Sequence, residues 1–155
     1  MSARQAKTSP VAIAIVLALT ATGAMAASAA ETAIATRQAG YKKIGGAFKT
    51  INEELRKDAP DTKLIAANAA LINAQAGQAG RWFPKGSGPE AGFKTKAKPE
   101  IWTDSAKFGA ALAKFQTEAG KLQTISAAGN VDAIKAQVRA VGGSCKGCHD
   151  PFRAE

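Results

Sequence analysis

Apolar residues recur at steps of three and four along four stretches of this chain, and this spacing constrains its fold more than any other feature. Such steps bring side chains onto one face of an α-helix, and no alternating run of strand length is found. The first two stripes comprise Ile34, Tyr41, Ile44, Phe48, Ile51 and Leu55, then Leu64, Leu71, Ile72, Ala79 and Trp82 or Phe83. The others comprise Ile101, Phe108, Leu112, Phe115, Leu122 and Ile125, then Val131, Ile134, Val138, Val141, Cys145, Cys148 and Phe152.

Four helices with one apolar stripe each bury these stripes against one another. The spacing therefore predicts an all-α chain folded as an antiparallel up-down-up-down four-helix bundle. Short turns are expected at Asp58–Asp61, with aspartates suited to capping, and at Gly129 and Asn130. The Pro- and Gly-rich segment Pro84–Glu100 suits a long crossing loop, and Pro99 within it suits the first turn of the third helix.

The N-terminal residues have the pattern of an export signal. Arg4 and Lys7 form a positively charged start, Val11–Leu19 is apolar, and a stretch of small residues follows. The apolar run is too short to span a bilayer comfortably, which favours a cleaved signal peptide over an uncleaved anchor. We expect residues 1–26 to be a signal peptide and residues 27–155 to be one helical domain in the periplasm. Cleavage three or four residues later is the alternative.

All of the cysteine and histidine chemistry lies in one short motif. Cys145, Cys148 and His149 form a C-x-x-C-H sequence, and the chain has no other cysteine or histidine. This is the attachment pattern of c-type haem, in which each thiol adds to a vinyl group of the porphyrin. The histidine that follows is then the axial ligand of the iron. Because both cysteines continue the fourth apolar stripe, we expect one covalently attached haem c inside the bundle.

Three other interpretations of the motif are open, and each leaves something unexplained. A disulfide suits an exported chain, but it would be strained within one helical turn and gives His149 no role. A thioredoxin-like redox pair requires a βαβ context, which the periodicity does not indicate. A zinc site would need a carboxylate or a water molecule as its fourth ligand, since no further cysteine or histidine is available.

The second axial position of a haem iron has no conventional ligand in the mature chain. Signal cleavage removes Met1 and Met25, which are the only methionines, and His149 is already used. Lysines are present, but burying one is costly because its charge prefers water. The sequence therefore predicts a five-coordinate, high-spin iron whose second face accepts a small diatomic ligand such as NO or CO.

Three motifs along the mature chain resemble those of cytochrome c prime (cytochrome c'), the class II c-type cytochromes of bacterial periplasms. They are Arg37–Tyr41 (RQAGY), Lys98–Trp102 (KPEIW) and the terminal segment Cys145–Arg153 (CKGCHDPFR). The resemblance extends from end to end of the mature chain. It implies a four-helix bundle with one covalent haem.

The resemblance also implies roles for residues at matching positions. Four residues are implied to approach the haem propionates: Arg37, Gln38, Lys96 and Lys98. Tyr41 is implied to lie over the open face of the iron in the distal pocket, and Arg153 is implied to lie on the proximal side near His149. Simpler interpretations remain for two of them, because Tyr41 also fits an ordinary core position and Arg37 a solvated helix surface. Gly142 and Gly143 are costly in a helix, which suggests that the porphyrin lies close to the backbone there.

Two classes of function follow from a five-coordinate haem. The protein is expected to carry one electron, to bind NO or CO, or to do both; the alternative is a dedicated nitric oxide scavenger or sensor with no electron-carrier role. Peroxide chemistry, and enzymatic turnover more generally, are not expected because no distal histidine or paired acid is available. The physiological redox partner is not indicated by the sequence.

The formal charge of +9 does not indicate a nucleic-acid partner, because the lysines are spread along the chain without an aromatic-rich basic cluster. We expect no membrane span after cleavage. The resemblance implies a homodimer through the first two helices. Small residues there would permit close packing, namely Gly45, Ala66, Ala69 and Ala70.

Overall fold

The computed structural model describes residues 11–155, and side chains from residue 29 onward. In chain order the helices are α1 (Val11–Glu54), α2 (Thr62–Gln78), the one-turn α3 (Glu100–Thr103), α4 (Ser105–Ala127) and α5 (Val131–Phe152). The long helices pack as α1 on α2, α2 on α4 and α4 on α5. The predicted all-α four-helix bundle is confirmed, with the four long helices in this order.

The interior is built from the predicted stripes in three of the four helices. Ile51 of α1, Leu122 of α4 and Ile134 of α5 are all fully buried. The prediction for α2 is wrong in part, because Leu64 and Leu71 are 40% and 39% exposed. The inward face of α2 consists instead of Ile65, Ala69, Ile72 and Ala76. Two alanines in this stripe let the neighbouring helices approach closely, and they carry little apolar signal in the sequence.

Side-chain caps define the starts of the helices. The carboxylate of Asp61 accepts hydrogen bonds from two backbone N–H groups in the first turn of α2, and the amide oxygen of Asn130 accepts one, from Ala133, at the start of α5. Gly129 has a φ of 75°, a left-handed conformation that favours glycine and ends α4. The third predicted helix is interrupted, because Asp104 accepts the Lys107 N–H at 3.3 Å and starts α4 anew after α3.

The connection between α2 and α3 crosses one end of the bundle. It continues directly from α2 as a 3-10 turn, Ala79–Trp82, and contains a second such turn, Pro89–Ala91. Its last part runs beside the end of α5, where Ala97 and Arg153 form an isolated antiparallel bridge. The crossing loop therefore lies at the same end of the bundle as the C-x-x-C-H motif.

The predicted signal peptide is only partly within the described residues. Residues 1–10 lie outside them, and α1 begins at Val11 and continues without a break into the bundle. From Ala30 onward α1 has buried positions at helical spacing. Among the described residues, no helix combines the length and apolar character that crossing a membrane requires.

Candidate functional site

The two cysteines lie near the C-terminal end of α5, on the side that faces the bundle. Both are free thiols, both are half-buried, and both pack against the hydrophobic core. Burial raises the pKa of each thiol; a hydrogen bond from Ser144 partly opposes this for Cys145, and the charge of Cys145 adds to it for Cys148. Both groups are therefore held as neutral thiols in an apolar setting.

His149 follows on the same turn of α5. His149 remains exposed in part. Partial removal from water lowers the pKa of its imidazole, the positive charge of Arg153 lowers it further, and Asp150 acts in the opposite direction. The imidazole is therefore held neutral, with a nitrogen lone pair available to a metal ion. Across the described part of the chain, no group of three or more His, Cys, Asp or Glu side chains is placed to hold a metal ion.

Tyr41 of α1 packs against the same hydrophobic core as the two cysteines. Burial raises the pKa of its phenol strongly, and negative charge on Cys148 and Cys145 would raise this pKa further. The Trp82 ring meets Tyr41 edge-on at 5.2 Å between centroids, and the Phe83 ring lies at 6.3 Å. Tyr41 is thus a neutral phenol fixed by aromatic neighbours.

A glycine that the sequence analysis did not single out sets the position of these aromatic rings. A Cβ built on Gly40 would overlap the indole of Trp82, with Cζ3 at 2.8 Å and two other ring atoms closer still. The indole therefore rests directly on the backbone of α1, and Trp82 is only 5% exposed. The sequence signal was a glycine inside a helical stripe directly before Tyr41, which indicates close approach of another group.

Arg37 is buried, at 4% exposure, and is not the solvated surface charge of the simpler interpretation. Its Nη1 donates to the Trp82 carbonyl at 3.3 Å and to Ser87 Oγ at 3.4 Å. Its Nη2 donates to the Ser87 carbonyl and to Thr95 Oγ1, both at 2.9 Å. The guanidinium carbon also lies 4.8 Å from the centroid of the Phe83 ring. One side chain of α1 therefore holds both ends of the crossing loop.

The charge of Arg37 is not neutralised by these contacts. All four hydrogen-bond acceptors are uncharged oxygens, and none of the ion pairs among the described residues includes Arg37. Burial lowers the pKa of Arg37, while Tyr41 and Glu90 raise it. Arginine nevertheless stays protonated in proteins, so this is a buried cation that a carboxylate would stabilise.

The other residues expected near the propionates lie around the same loop. The Gln38 amide donates to the Lys94 carbonyl at 3.0 Å. Lys96 is exposed, while Lys98 is partly buried and its Nζ donates to the Asp150 carbonyl at 3.2 Å. The structure thus brings Arg37 and Gln38 together at the loop and directs Lys98 toward the end of α5.

The two glycines near the motif differ in their surroundings. A Cβ on Gly142 would meet Phe48 Cζ of α1 at an ordinary distance of 3.6 Å, whereas one on Gly143 would have no neighbour within 4 Å. Side chains such as Phe48 bridge α1 and α5, whose backbones approach each other less closely than those of the other neighbouring helices. The absence of a side chain at Gly142 keeps this bridge short.

The residues present suit a covalent haem c. Two half-buried thiols one helical turn apart suit the two vinyl groups of haem, and the neutral imidazole beside them suits the iron. The buried cation at the crossing loop suits the propionates. Aromatic side chains supply apolar walls. Phe83, Trp102 and Phe108 also line a groove of about 450 Å³, and none of the C-x-x-C-H residues lines it.

Comparison with known proteins agrees with this chemistry. Residues 32–153 match the family model described as cytochrome c'. The cytochrome c' of Rubrivivax gelatinosus is 38% identical over 122 residues, which cover 78% of this chain and 93% of the relative. These matches include the complete α2–α5 region and the bundle part of α1.

Two solved structures extend the comparison to the fold. A cytochrome c' with an unusual ligand-controlled dimer dissociation has a TM-score of 0.75 and 30% identity over 81% of this chain and 97% of its own. A nitric oxide complex of a mutant cytochrome c prime from Alcaligenes xylosoxidans has a TM-score of 0.73 and 30% identity, with the same coverage. This chain therefore belongs to the cytochrome c' family, whose members bind covalent haem c.

Proposed function

We propose that this protein is a periplasmic haem protein that binds NO or CO at a five-coordinate iron and exchanges single electrons. Cys145 and Cys148 carry the thioether bonds, and His149 is the only strong protein ligand. The observation that carries the proposal is that Tyr41, which packs against the same hydrophobic core as Cys145 and Cys148, is a phenol kept neutral by burial and not a methionine or histidine. A neutral phenol is a poor ligand for ferrous iron.

Haem supplies an iron that changes oxidation state by one electron and accepts a diatomic ligand. The residues of the chain exclude water, hold the axial imidazole neutral and present a cation at the loop. We assign that cation, Arg37, to stabilising a propionate carboxylate, with the Gln38 amide beside it, while Lys96 and Lys98 contribute positive charge at the same end. Arg153 keeps the His149 pKa low from the proximal side.

Gas binding is the better supported half of this proposal, since structures with the same fold are nitric oxide complexes. A dedicated nitric oxide scavenger or sensor remains the alternative to a protein that also carries electrons. No enzymatic turnover is proposed.

Absorption and resonance Raman spectra of the purified protein test the iron state. The ferrous protein should be high-spin and five-coordinate at neutral pH, and NO and CO should each produce a new, saturable spectrum. Mass spectrometry should find one haem that resists acid–acetone extraction. A six-coordinate low-spin ferrous spectrum, or haem that extracts freely, would contradict the proposal.

Tyr41→Ala tests the distal assignment. Removing the phenol should speed CO association, because the side chain must move aside before a ligand reaches the iron. Stopped-flow or flash-photolysis rates would measure this, and Tyr41→Phe, which keeps the ring, should stay close to the unaltered protein. An unchanged rate in Tyr41→Ala would remove Tyr41 from the distal pocket.

Export and assembly are part of the same proposal. Residues 1–26 act as a signal peptide, and the mature protein forms a homodimer through α1 and α2, where Leu64 and Leu71 are exposed. A relative of the same fold is named for a ligand-controlled dimer. Sedimentation at micromolar concentration should give twice the monomer mass, and Leu71→Lys should lower it; a monomer throughout would exclude the dimer.

A further inference from the structure

The last turn of α5 is held by a neighbouring segment, Thr95–Lys98, which we call the strap. The Lys98 N–H donates to the Phe152 carbonyl at 3.0 Å, and the Ala154 N–H donates to the Lys96 carbonyl at 2.8 Å. The Lys98 side chain adds a third bond, from Nζ to the Asp150 carbonyl at 3.2 Å. The strap thus pairs with the chain on both sides of Arg153, four residues after His149.

The last turn of α5 needs such support. Pro151 lies inside the turn and has no N–H, so one helical hydrogen bond is missing there. The final carbonyls of any helix also lack partners within the helix. The Arg153 N–H returns to the His149 carbonyl, at 2.9 Å, and the strap donates to the carbonyls of Asp150 and Phe152. The orientation of the turn that carries His149 therefore depends on the strap.

The other end of the strap is anchored to α1 through one hydroxyl group. Thr95 Oγ1 accepts from Arg37 Nη2 at 2.9 Å and from the Ala97 N–H at 3.1 Å. A continuous path of hydrogen bonds consequently leads from the buried guanidinium of α1, through Thr95, to the final turn of α5. Thr95 is partly buried, so water does not freely replace these bonds.

We propose that Thr95 and Lys98 are positioning residues for the axial histidine: the strap transmits the position of Arg37 to the turn that carries His149. This inference rests on the proposed function, in which His149 binds the iron. In this role the strap acts on the haem site through the last turn of α5, and it does not need to touch the haem.

Thr95→Val tests this path, because it keeps the shape of the side chain and removes the acceptor, while Thr95→Ser keeps the hydroxyl. In the ferrous holoprotein, Thr95→Val should shift and broaden the iron–histidine stretching band seen by resonance Raman. Hydrogen exchange of the Ala154 amide should accelerate about five- to tenfold, as expected for losing one net hydrogen bond. Thr95→Ser should restore both signals.

Lys98→Met tests the second contact, with Lys94→Met as the control. Both variants remove one positive charge from the same loop, but the Lys94 side chain is exposed whereas Lys98 bonds to the Asp150 carbonyl. Lys98→Met should change both the iron–histidine band and Ala154 exchange, and Lys94→Met should change neither. A Lys98 that only contacted a propionate would alter the reduction potential and leave Ala154 exchange unchanged, which would overturn its positioning role.

The outcomes separate this inference from the proposed function. An iron–histidine band that is present but identical in Thr95→Val and in the unaltered protein would overturn the inference, even if Ala154 exchange became faster. A ferrous protein without such a band would overturn the proposed function instead.

Discussion

Two charged residues of α1 are buried to almost the same extent, and they are stabilised in different ways. Glu54, 5% exposed, lies at the end of α1 that leads into the α1–α2 turn, and Arg37, 4% exposed, lies at the site. The Glu54 carboxylate forms an ion pair with the Lys57 ammonium and accepts a hydrogen bond from the Asp61 N–H at 3.1 Å. Its negative charge is therefore compensated by groups close to it in the chain. Arg37 has only uncharged acceptors, which lie 45 to 58 residues away.

The difference separates a folding role from a binding role. A buried charge with a nearby partner of opposite sign completes a local structure and needs nothing further. A buried charge surrounded by neutral hydrogen-bond acceptors still favours an opposite charge, and in the proposed function a haem propionate supplies it. We therefore assign the end of the bundle that holds Arg37 to an anionic ligand.

Arg37→Met should have the largest effect. It takes the donor from the Ser87 carbonyl and one of the two donors from Thr95 Oγ1, and it removes the cation, so we expect a loss of about 3 kcal/mol in the free energy of unfolding. The haem reduction potential should fall, because a positive charge near the iron favours the ferrous state. Denaturant titration and redox titration measure the two effects. Arg37→Lys should retain most of the potential while losing stability, and equal potentials in all three proteins would contradict the propionate assignment.

Gly40→Ala should have the next largest effect. The added methyl group overlaps the Trp82 indole, so the ring must move, at a cost of about 1–3 kcal/mol typical of overpacking. Tryptophan fluorescence and thermal unfolding would report the change. Gly46→Ala on the same helix is the control, since its Cβ has no neighbour within 4 Å, and it should be neutral or stabilising. Equal behaviour of the two variants would show that Trp82 does not depend on Gly40.

Glu54→Gln should have the smallest effect, a modest loss of stability at neutral pH that disappears in acid. The Lys57 hydrogen bond, followed by the Asp61 N–H, lowers the pKa of Glu54 from its ordinary value of 4.5. A lowered folded-state pKa means that this contribution to stability is present above pH 4.5 and is lost as the pH falls through the folded value. Glu54→Gln should therefore flatten the loss of stability below that pH. Unfolding measured from pH 3 to pH 7 tests this, and an unchanged pH dependence in Glu54→Gln would contradict it.

The parts that the sequence predicts well are those determined locally. The spacing of Cys145, Cys148 and His149 is a property of one helical turn, and the caps Asp61 and Asn130 act within their own first turns. The inward face of α2 was missed because Ala69 and Ala76 are core residues with almost no apolar signal, which left Leu64 and Leu71 as the apparent stripe. Local signals thus indicate a helix more reliably than they indicate which of its faces is buried.

The partners of Arg37 were not predictable in the same way. Its contacts with Ser87 and Thr95 depend on how a long loop returns across the bundle, and neither residue carries a motif. The resemblance to cytochrome c' implied a role for Arg37 near a propionate. Its connection with the strap is visible only in the three-dimensional arrangement. The interruption between α3 and α4 was not predicted either. The apolar spacing is continuous there, but Asp104 caps a new helix and so ends the preceding one.

The contact between Gly40 and Trp82 has a consequence for redesign. Each residue of a helix turns by about 100°, so the indole lying against Gly40 fixes the rotation of α1 just before Tyr41. The direction of the side chain at position 41 is then determined by a residue that has no side chain of its own. Whatever amino acid is introduced there will project into the same region. Under the proposed distal role of Tyr41, position 41 is consequently a suitable point at which to alter ligand preference by substitution, without rebuilding the rest of the bundle.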